Sequence, residues 1–151
     1  MIKDGLGALM GGKTQNQKSP TPLPGKIRFL IAHENASVRK LIRGCLKTMG
    51  FALIIDLNPA GNILSTLSDE KVHVLICNGE TPEMENWNLL KLLREHPENC
   101  KTKVIVASGN SDKEAILGAV QAGVDDYIII PFSAALFEER IRALFAKMAA
   151  S

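Results

Sequence analysis

Residues 119–132 read AVQAGVDDYIIIPF, and they contain the end of one helix and the whole of one strand. Gly123 closes a helical apolar stripe, because glycine readily adopts the left-handed conformation that stops a helix. The apolar run Tyr127–Ile130 then predicts a short buried strand, which ends at Pro131 because proline cannot donate to the sheet. A helix that leads directly into an apolar strand is typical of a sheet covered by helices.

The same alternation continues on both sides of this stretch. Short apolar runs predict strands, and apolar residues spaced by three and four predict the helices between them. The strands are predicted over Ile27–Ala32, Phe51–Asp56, Val72–Cys77, Lys103–Ala107 and Tyr127–Ile130. Strands that alternate with helices predict an α/β fold with a parallel sheet. We expect a flavodoxin-like (βα)5 three-layer sandwich with strand order 2-1-3-4-5.

Local signals indicate where the helices begin and which face each one buries. Polar residues that can cap a helix precede most of the amphipathic segments, and Gly50 can stop the first. The predicted starts are Asn35, Asn58-Pro59, the Ser111–Glu114 capping box and Ser133, with a third helix around Trp87–Glu95. In the fourth helix we expect Ile116, Ala119 and Val120 to face the sheet.

Composition predicts one globular domain behind a short tail. The chain has 151 residues, of which 46% are apolar, and this suits a single core in residues 26–151. Residues 1–25 are rich in Gly and Pro and predict a disordered tail or linker, although Leu6, Leu9 and Met10 could form a docking motif. The tail lysines carry the net charge of +2. The neutral domain argues against nucleic acid and anionic membrane as partners.

Cysteine usage and hydropathy indicate a cytoplasmic protein. Cys45, Cys77 and Cys100 are widely spaced and form no CxxC pair, as expected of reduced thiols. No apolar run reaches about 18 residues, and the N-terminus lacks the apolar core of a signal peptide. Ser151 follows directly on the last predicted helix, so we expect any output to pass through a partner, a dimer or the tail.

Polar residues follow several of the predicted strands at their carboxyl ends. His33-Glu34 follow the first strand, Asn78 the third and Ser108 the fourth, while Ile130-Pro131 close the fifth. Ligands of open α/β sheets bind at this edge, near the point where the strand order reverses. We therefore expect these residues to share one shallow pocket, with Glu80, Glu83 and Glu85 on its rim.

Three segments carry a resemblance to a known family. They are FLIAHENASVRKLIRGCLKTMGF, LLKLLRE and AVQAGVDDYIIIPF. Five single residues also stand where the family pattern has them: Pro82, Gly123, Tyr127, Pro131 and Phe132. From about Lys26 to Met148 the chain resembles the receiver domain of two-component response regulators. The resemblance implies a signalling domain that accepts a phosphoryl group from a histidine kinase.

This sequence departs from the residues that such an activity requires. In the family, an aspartate after the third strand is the acceptor, an acidic pair after the first strand holds Mg²⁺, and a Ser or Thr and a Lys contact the phosphate. The matching positions here are His33-Glu34, Asn78, Ser108 and Ile130. An amide forms no stable acyl phosphate, imidazole is a poor Mg²⁺ ligand, and isoleucine offers phosphate no charge. We predict a degenerate pseudo-receiver with no cofactor and no bound metal.

Simpler interpretations stand beside the chemical ones. His33 and Glu34 could ligate a metal together with Glu80, or they could form a solvated pair at a loop end. Cys77 could be redox-active, but its place at the end of a buried strand favours a core role. His73 and His96 have no partner at a telling spacing, and we expect them at the surface or at strand ends.

The resemblance also implies a switch and a partner face. Ser108 and Tyr127 match the pair that relays phosphorylation, and here they could be locked in one state or set by partner binding. The face built from the fourth helix, fifth strand and fifth helix contacts partners in the family. Its candidates here are Lys113, Leu117, Gln121, Tyr127, Ala135 and Arg140. Leu117 lies off the inward stripe, so we expect it to be exposed.

We predict a protein–protein interaction module that acts independently of phosphorylation and has another signalling protein or a second copy as its partner. The alternatives are a small-molecule or metal sensor in the acceptor pocket and a receiver still switched by phosphorylation. An enzyme is not expected, because no nucleophile–base pair or Gly-rich phosphate loop is present.

Overall fold

The computed structural model describes residues 24–57, 62–79 and 87–150. Its strands form one parallel sheet in the order β2-β1-β3-β4-β5, which confirms the predicted topology. The strands are β1 Arg28–Ala32, β2 Leu53–Leu57, β3 Val74–Cys77, β4 Lys103–Ser108 and β5 Asp126–Ile129. The helices are α1 Ala36–Thr48, α2 Ile63–Asp69, α3 Asn88–Arg94, α4 Lys113–Ala122 and α5 Ala134–Ala150. The predicted tail lies almost wholly outside the described residues.

Alternation along the strands supplies one core on each face of the sheet. Phe29 and Ile31 of β1 face α1 and α5, whereas Leu30 and Ala32 face α2, α3 and α4. The Phe29 ring is fully buried, with its centroid 4.8 Å from that of Phe51. Burial on both faces explains why the strands are apolar runs rather than alternating ones.

The parallel register aligns the carboxyl ends of the strands at one edge. Ala32 pairs with Cys77, and Cys77 pairs with Val106 on its other side. Ser108 pairs with Ile129 at the end of β5. The residues that follow these positions are therefore brought to the same edge of the sheet.

The first helix begins and ends where the sequence predicts. The Asn35 side-chain oxygen accepts from the backbone N–H groups of Ser37 and Val38 at 2.9 and 3.2 Å. Gly50 has a φ of +99°, and the Phe51 N–H donates to Leu46 O at 3.0 Å. This helix-ending bond uses the Phe51 N–H. The second strand therefore starts at Leu53 and not at Phe51 as predicted.

The starts of α2 and α4 differ from the predictions. Helix α2 begins at Ile63, and the Asn62 side chain caps it by accepting from Ser65 N at 3.0 Å. The predicted start at Asn58-Pro59 falls outside the described residues. Helix α4 begins after Asp112, which makes no side-chain cap bond, so the predicted capping box led by Ser111 is wrong.

Helix α4 buries a narrower face than its apolar residues predict. Ala119 is fully buried against the sheet, whereas Val120 is 57% exposed, so the inward position predicted for Val120 is wrong. One step along a helix turns the side chain by about 100°, so only one of two neighbours can point straight at the sheet. Leu117 is 55% exposed, as expected from its place off the stripe.

A buried polar staple joins the connections at the amino ends of the strands. Asn99 is fully buried, and its oxygen accepts from Val72 N at 2.9 Å. Its nitrogen donates to the carbonyls of Leu67 and Glu70 at 2.5 and 3.1 Å. The Val72 N–H is thereby satisfied by a side chain, which explains why β3 starts at Val74 rather than at Val72.

No helix in the described part of the chain is long and apolar enough to span a bilayer.

Candidate functional site

The carboxyl edge of the sheet brings together the polar residues predicted to share a pocket. The Asn78 amide nitrogen after β3 donates to Glu34 Oε1, after β1, at 3.4 Å. The Ile130 N–H donates to the Ser108 carbonyl at 2.9 Å, which holds the end of β5 against β4. Glu34 is exposed, whereas Asn78 is 7% exposed. In the described part of the site, a solvated carboxylate therefore lies beside a buried amide.

His33 is buried, so the predicted solvated loop-end pair is wrong for this residue. Its side chain is 3% exposed, and its Nδ1 accepts from the Asn35 N–H at 3.1 Å. An accepting Nδ1 carries no proton, so Nε2 carries it and donates to Ala107 O at 3.2 Å. The ring is thus a neutral imidazole that joins the start of α1 to the end of β4. Neither nitrogen has a lone pair left for a metal in this arrangement.

Arg39 fixes the loop that presents His33 and Glu34. Its Nη1 donates to the His33 carbonyl at 2.5 Å, and its Nε lies 2.9 Å from Asp56 Oδ1. The guanidinium therefore ties the end of β1 to β2. The sequence analysis did not single out Arg39. The helix dipole disfavours a cation in the first turn of a helix, so a basic residue at this position was an available signal of another interaction.

Ile130 contributes packing to the site and no charge. Its side chain is half-buried and packs with Phe132 against the core under α1 and α5. An apolar side chain at the close of β5 is stabilised by that core, and it leaves the pocket without a cation from this strand.

Ser108 and Tyr127 meet through a loop residue that the sequence did not single out. The Ser108 Oγ accepts from the Asn110 N–H at 3.1 Å, and the Tyr127 hydroxyl donates to the Asn110 carbonyl at 2.7 Å. The backbone of Asn110 thus links both members of the predicted switch pair. A cavity of about 100 Å³ opens beside them, also lined by Gly79, Trp87 and Ala115.

Comparisons with known proteins agree with this architecture. The family model described as the response regulator receiver domain matches residues 29–142. The chain belongs to this family. Chemotaxis protein CheY-3 of Vibrio cholerae is 25% identical to it over 122 residues, which are 81% of this chain and 94% of that protein. Chemotaxis protein CheY of Pseudomonas aeruginosa is 24% identical over 122 residues, 81% of this chain and 98% of that protein.

A solved structure shows the same fold. A response regulator from Thermotoga maritima superimposes with a TM-score of 0.68 at 27% identity, covering 80% of this chain and 98% of that one. The receiver domain is therefore a CheY-like signalling domain, and the predicted flavodoxin-like fold is confirmed. Receiver domains act in signal transduction through other signalling proteins.

The described residues of the receiver domain contain no metal-ligand cluster. Among them, no three His, Cys, Asp or Glu side chains lie close enough to hold a metal ion. Glu80, Glu83 and Glu85, which were predicted on the rim, fall outside the described residues, as does Pro82. A metal ligand at Glu80 stays a prediction, and His33 could join such a site only by giving up its hydrogen bond to Asn35 or Ala107.

Cys77 is buried, and His73 and His96 bond to the backbone of neighbouring residues. Cys77 is fully buried in the core under α2, α3 and α4, and burial raises its pKa to about 12, so it is a thiol at neutral pH. His73 is half-buried before β3, and its Nδ1 accepts from Arg28 N at 3.0 Å. His96 accepts from Glu98 N and Asn99 N with its Nδ1, each at 3.1 Å. The core role favoured for Cys77 fits this burial.

The predicted partner face is an exposed surface along the β5 edge of the receiver domain. Lys113, Leu117 and Gln121 form one exposed strip on α4, with spacings of four residues. Ala135 is exposed on α5, and the Arg140 guanidinium pairs with Asp126 of β5. Leu117 is an exposed apolar side chain between Lys113 and Gln121 in this strip, and Val120, also exposed, lies one helical turn from it.

Proposed function

We propose that this receiver domain signals without accepting a phosphoryl group and works as a protein–protein interaction module. The observation that carries the proposal is the amide of Asn78 at the carboxyl end of β3. Its nitrogen donates to Glu34, and the lone pair of that nitrogen is delocalised into the carbonyl, so the side chain is neutral where a carboxylate would carry a charge. Such a group is a poor nucleophile toward phosphorus, and it yields no acyl phosphate.

The electrostatics of the edge support the same proposal. Phosphoryl transfer depends on cations and metal ions that neutralise charge around the transferring group. His33 is neutral here, because its Nδ1 accepts a backbone N–H. Ile130 packs into the core and supplies no cation. Glu34 alone, at the end of β1, would be a single carboxylate ligand for Mg²⁺, which is usually held by more oxygen ligands.

Of the residues that carry the sensor alternative, only Ser108 lines the cavity described at this edge, so the size of that cavity bears on one side of the acceptor pocket. The cavity beside Ser108 and Tyr127 measures about 100 Å³. Pockets for small organic molecules span roughly 300–1,000 Å³. A thermal-shift screen with divalent metals, nucleotides and phosphate compounds tests the sensor alternative, since ligands that bind the folded state raise its stability.

The first experiment asks whether the acceptor edge responds to a phosphoryl mimic. We expect no amide NMR shifts at Glu34, Asn78, Ser108 or Tyr127 when Mg²⁺ and beryllofluoride are added. The matched control is the double variant Asn78→Asp, Ile130→Lys, which restores an acceptor and a cation at the same edge. Saturable shifts in the unmodified chain, spreading from Asn78 to Tyr127, would mean that phosphorylation still switches the domain.

The second experiment asks whether the α4–β5–α5 face binds a partner. Leu117→Glu places a charge at the exposed apolar point of this face, and Leu41→Glu makes the same change at an exposed leucine on α1. We expect Leu117→Glu to weaken self-association, or binding to a purified signalling partner, while Leu41→Glu leaves it unchanged. Equal effects of the two variants, or no effect of either, would remove this face from the proposal.

A further inference from the structure

A second and larger cavity lies at the amino ends of β4 and β5, away from the acceptor edge. Its volume is about 510 Å³. Arg94 at the end of α3, Lys101 and Lys103 line one side, and Asp125 lies before β5. Met148 near the end of α5 contributes an apolar wall. The lining of the cavity therefore combines three basic side chains with an apolar one.

The cavity holds more positive charge than the protein neutralises. Asp125 is the only carboxylate among the described lining residues. Its Oδ2 accepts from Val104 N at 2.8 Å and lies 3.5 Å from the Arg94 guanidinium. Lys103 Nζ lies 4.0 Å from Asp125 Oδ1, at the limit of an ion pair. Lys101 is exposed and pairs with no residue in the described part of the chain.

Arg94 is positioned by the backbone, so its charge stays at the cavity wall. Its Nη1 donates to the carbonyls of Cys100 and Thr102 at 3.3 and 2.6 Å. Carbonyls orient a guanidinium but carry no net charge. Among the described lining residues, only Asp125 offsets the positive charge of Arg94. Three cations against one carboxylate leave an excess of two positive charges.

Charge and volume together define a class of ligand. A phosphate monoester carries about −1.5 to −2 charges at neutral pH, which matches this excess. The volume is far larger than a phosphate group needs and falls in the range of roughly 300–1,000 Å³ for small organic ligands. We propose that this cavity, which nothing in the proposed function requires, binds a phosphate monoester with an organic body of nucleotide size.

Cys100 provides an internal reporter for occupancy of the cavity. It is the only one of the three cysteines that is partly exposed, and it lines the cavity. Cys45 and Cys77 are buried, and burial raises the pKa of both thiols. Alkylation by iodoacetamide requires an accessible thiolate, so labelling of the intact chain measures access to Cys100.

The test follows the Cys100 labelling rate with adenosine monophosphate as the probe. At about ten times the dissociation constant we expect roughly tenfold slower labelling, since the thiol is accessible only when the cavity is empty. Lys101→Glu should abolish the protection, and Lys40→Glu, at an exposed lysine on α1, should leave it intact. Each variant is compared with itself without nucleotide, because charge also changes thiol reactivity.

Two further arms decide the ligand class. Inorganic phosphate at the same concentration should protect much less, because it lacks the body that would contact Met148. Amide shifts at Gly123, which also lines the cavity, give a second readout that needs no labelling. Equal protection by phosphate would overturn the organic part of the proposal. No protection and no shift at millimolar nucleotide would overturn it entirely.

Discussion

The two ends of the sheet differ in how the protein uses its polar groups. At the carboxyl edge, His33, Ser108 and Tyr127 direct their polar atoms at the backbone, and a cavity of about 100 Å³ opens beside Ser108 and Tyr127. At the amino edge, the cavity of about 510 Å³ has three cations against Asp125. Among the described residues, polar side chains at the carboxyl edge therefore bond to the backbone, whereas the amino edge keeps an excess of positive charge.

This difference teaches that position in a fold and capacity for chemistry are separate properties. The register still brings the first, third and fourth strand ends together, as a parallel sheet must. The polar atoms of His33, Ser108 and Tyr127 at this edge bond to the backbone of the neighbouring loops. Unneutralised charge and open volume are found instead where the fold itself predicts no site.

The largest effect expected from a single substitution is at the structural staple of the amino edge. Asn99→Ala leaves Val72 N and the carbonyls of Leu67 and Glu70 without their buried partner. Unmet buried groups cost about 1–3 kcal/mol each, and we expect a loss of about 3 kcal/mol in the free energy of unfolding, measured in urea.

Asn62→Ala is the matched control for that prediction. Its oxygen accepts one backbone N–H at an exposed helix start, so we expect a loss of about 1 kcal/mol. Equal losses in the two variants would show that the Asn99 staple is no stronger than an ordinary helix cap.

A smaller effect is expected at the carboxyl edge. Tyr127→Phe removes the hydrogen bond to the Asn110 carbonyl and keeps the ring that packs under α4. We expect a loss of about 1 kcal/mol in the free energy of unfolding and amide shifts confined to residues 108–111. Shifts that reach α5 would instead show that this tyrosine couples the edge to the partner face.

The sequence predicts the strands and helices because each follows from a local apolar pattern, and the strand order follows because right-handed crossovers leave few topologies for five parallel strands. Asn35 and Gly50 bound α1 through contacts within a few residues, so they could be identified without a structure. The burial of His33 could not be, because it depends on the Ala107 carbonyl, which is distant in sequence. Asn99 was missed for the same reason, since its partners belong to α2 and to the segments that flank it.

The family relation was also predictable, whereas the use of the site was not. The segments around Gly123 and Tyr127 carry the resemblance, and the family match over residues 29–142 supports it. The link through Asn110 and the basic cavity around Lys101 arise from loops that no periodic pattern describes. Polar contacts between loops follow from the packed fold, so they become visible only with the structure.

A pH dependence sharpens the contrast at the amino edge. Burial lowers the pKa of His73 below its usual 6.5, and the charges of Lys71 and Arg28 lower it further. As pH falls, the unfolded chain therefore binds this proton before the folded state does. The stability that His73 contributes is complete above its unfolded pKa of 6.5, and it is lost as pH falls from there through the lower pKa of the folded state. The free energy of unfolding is measured by urea titration at about pH 7.5 and about pH 5. We expect it to fall more between these two pH values in the unmodified chain than in His73→Gln. Parallel pH profiles would contradict this.

The smallest effect on stability is expected where the charge excess lies. Lys101→Gln removes an exposed cation that has no partner in the described part of the chain, so the free energy of unfolding should change by less than about 0.5 kcal/mol. Lys103→Gln breaks a 4.0 Å pair with Asp125 and should cost up to about 1 kcal/mol.

Urea titrations of both variants, with and without nucleotide, separate a role in folding from a role in binding. A loss well above 1 kcal/mol for Lys101→Gln would mean that the cation supports the fold. A negligible loss together with lost nucleotide protection would mean that its charge serves a ligand, because nothing in the folded chain then depends on it.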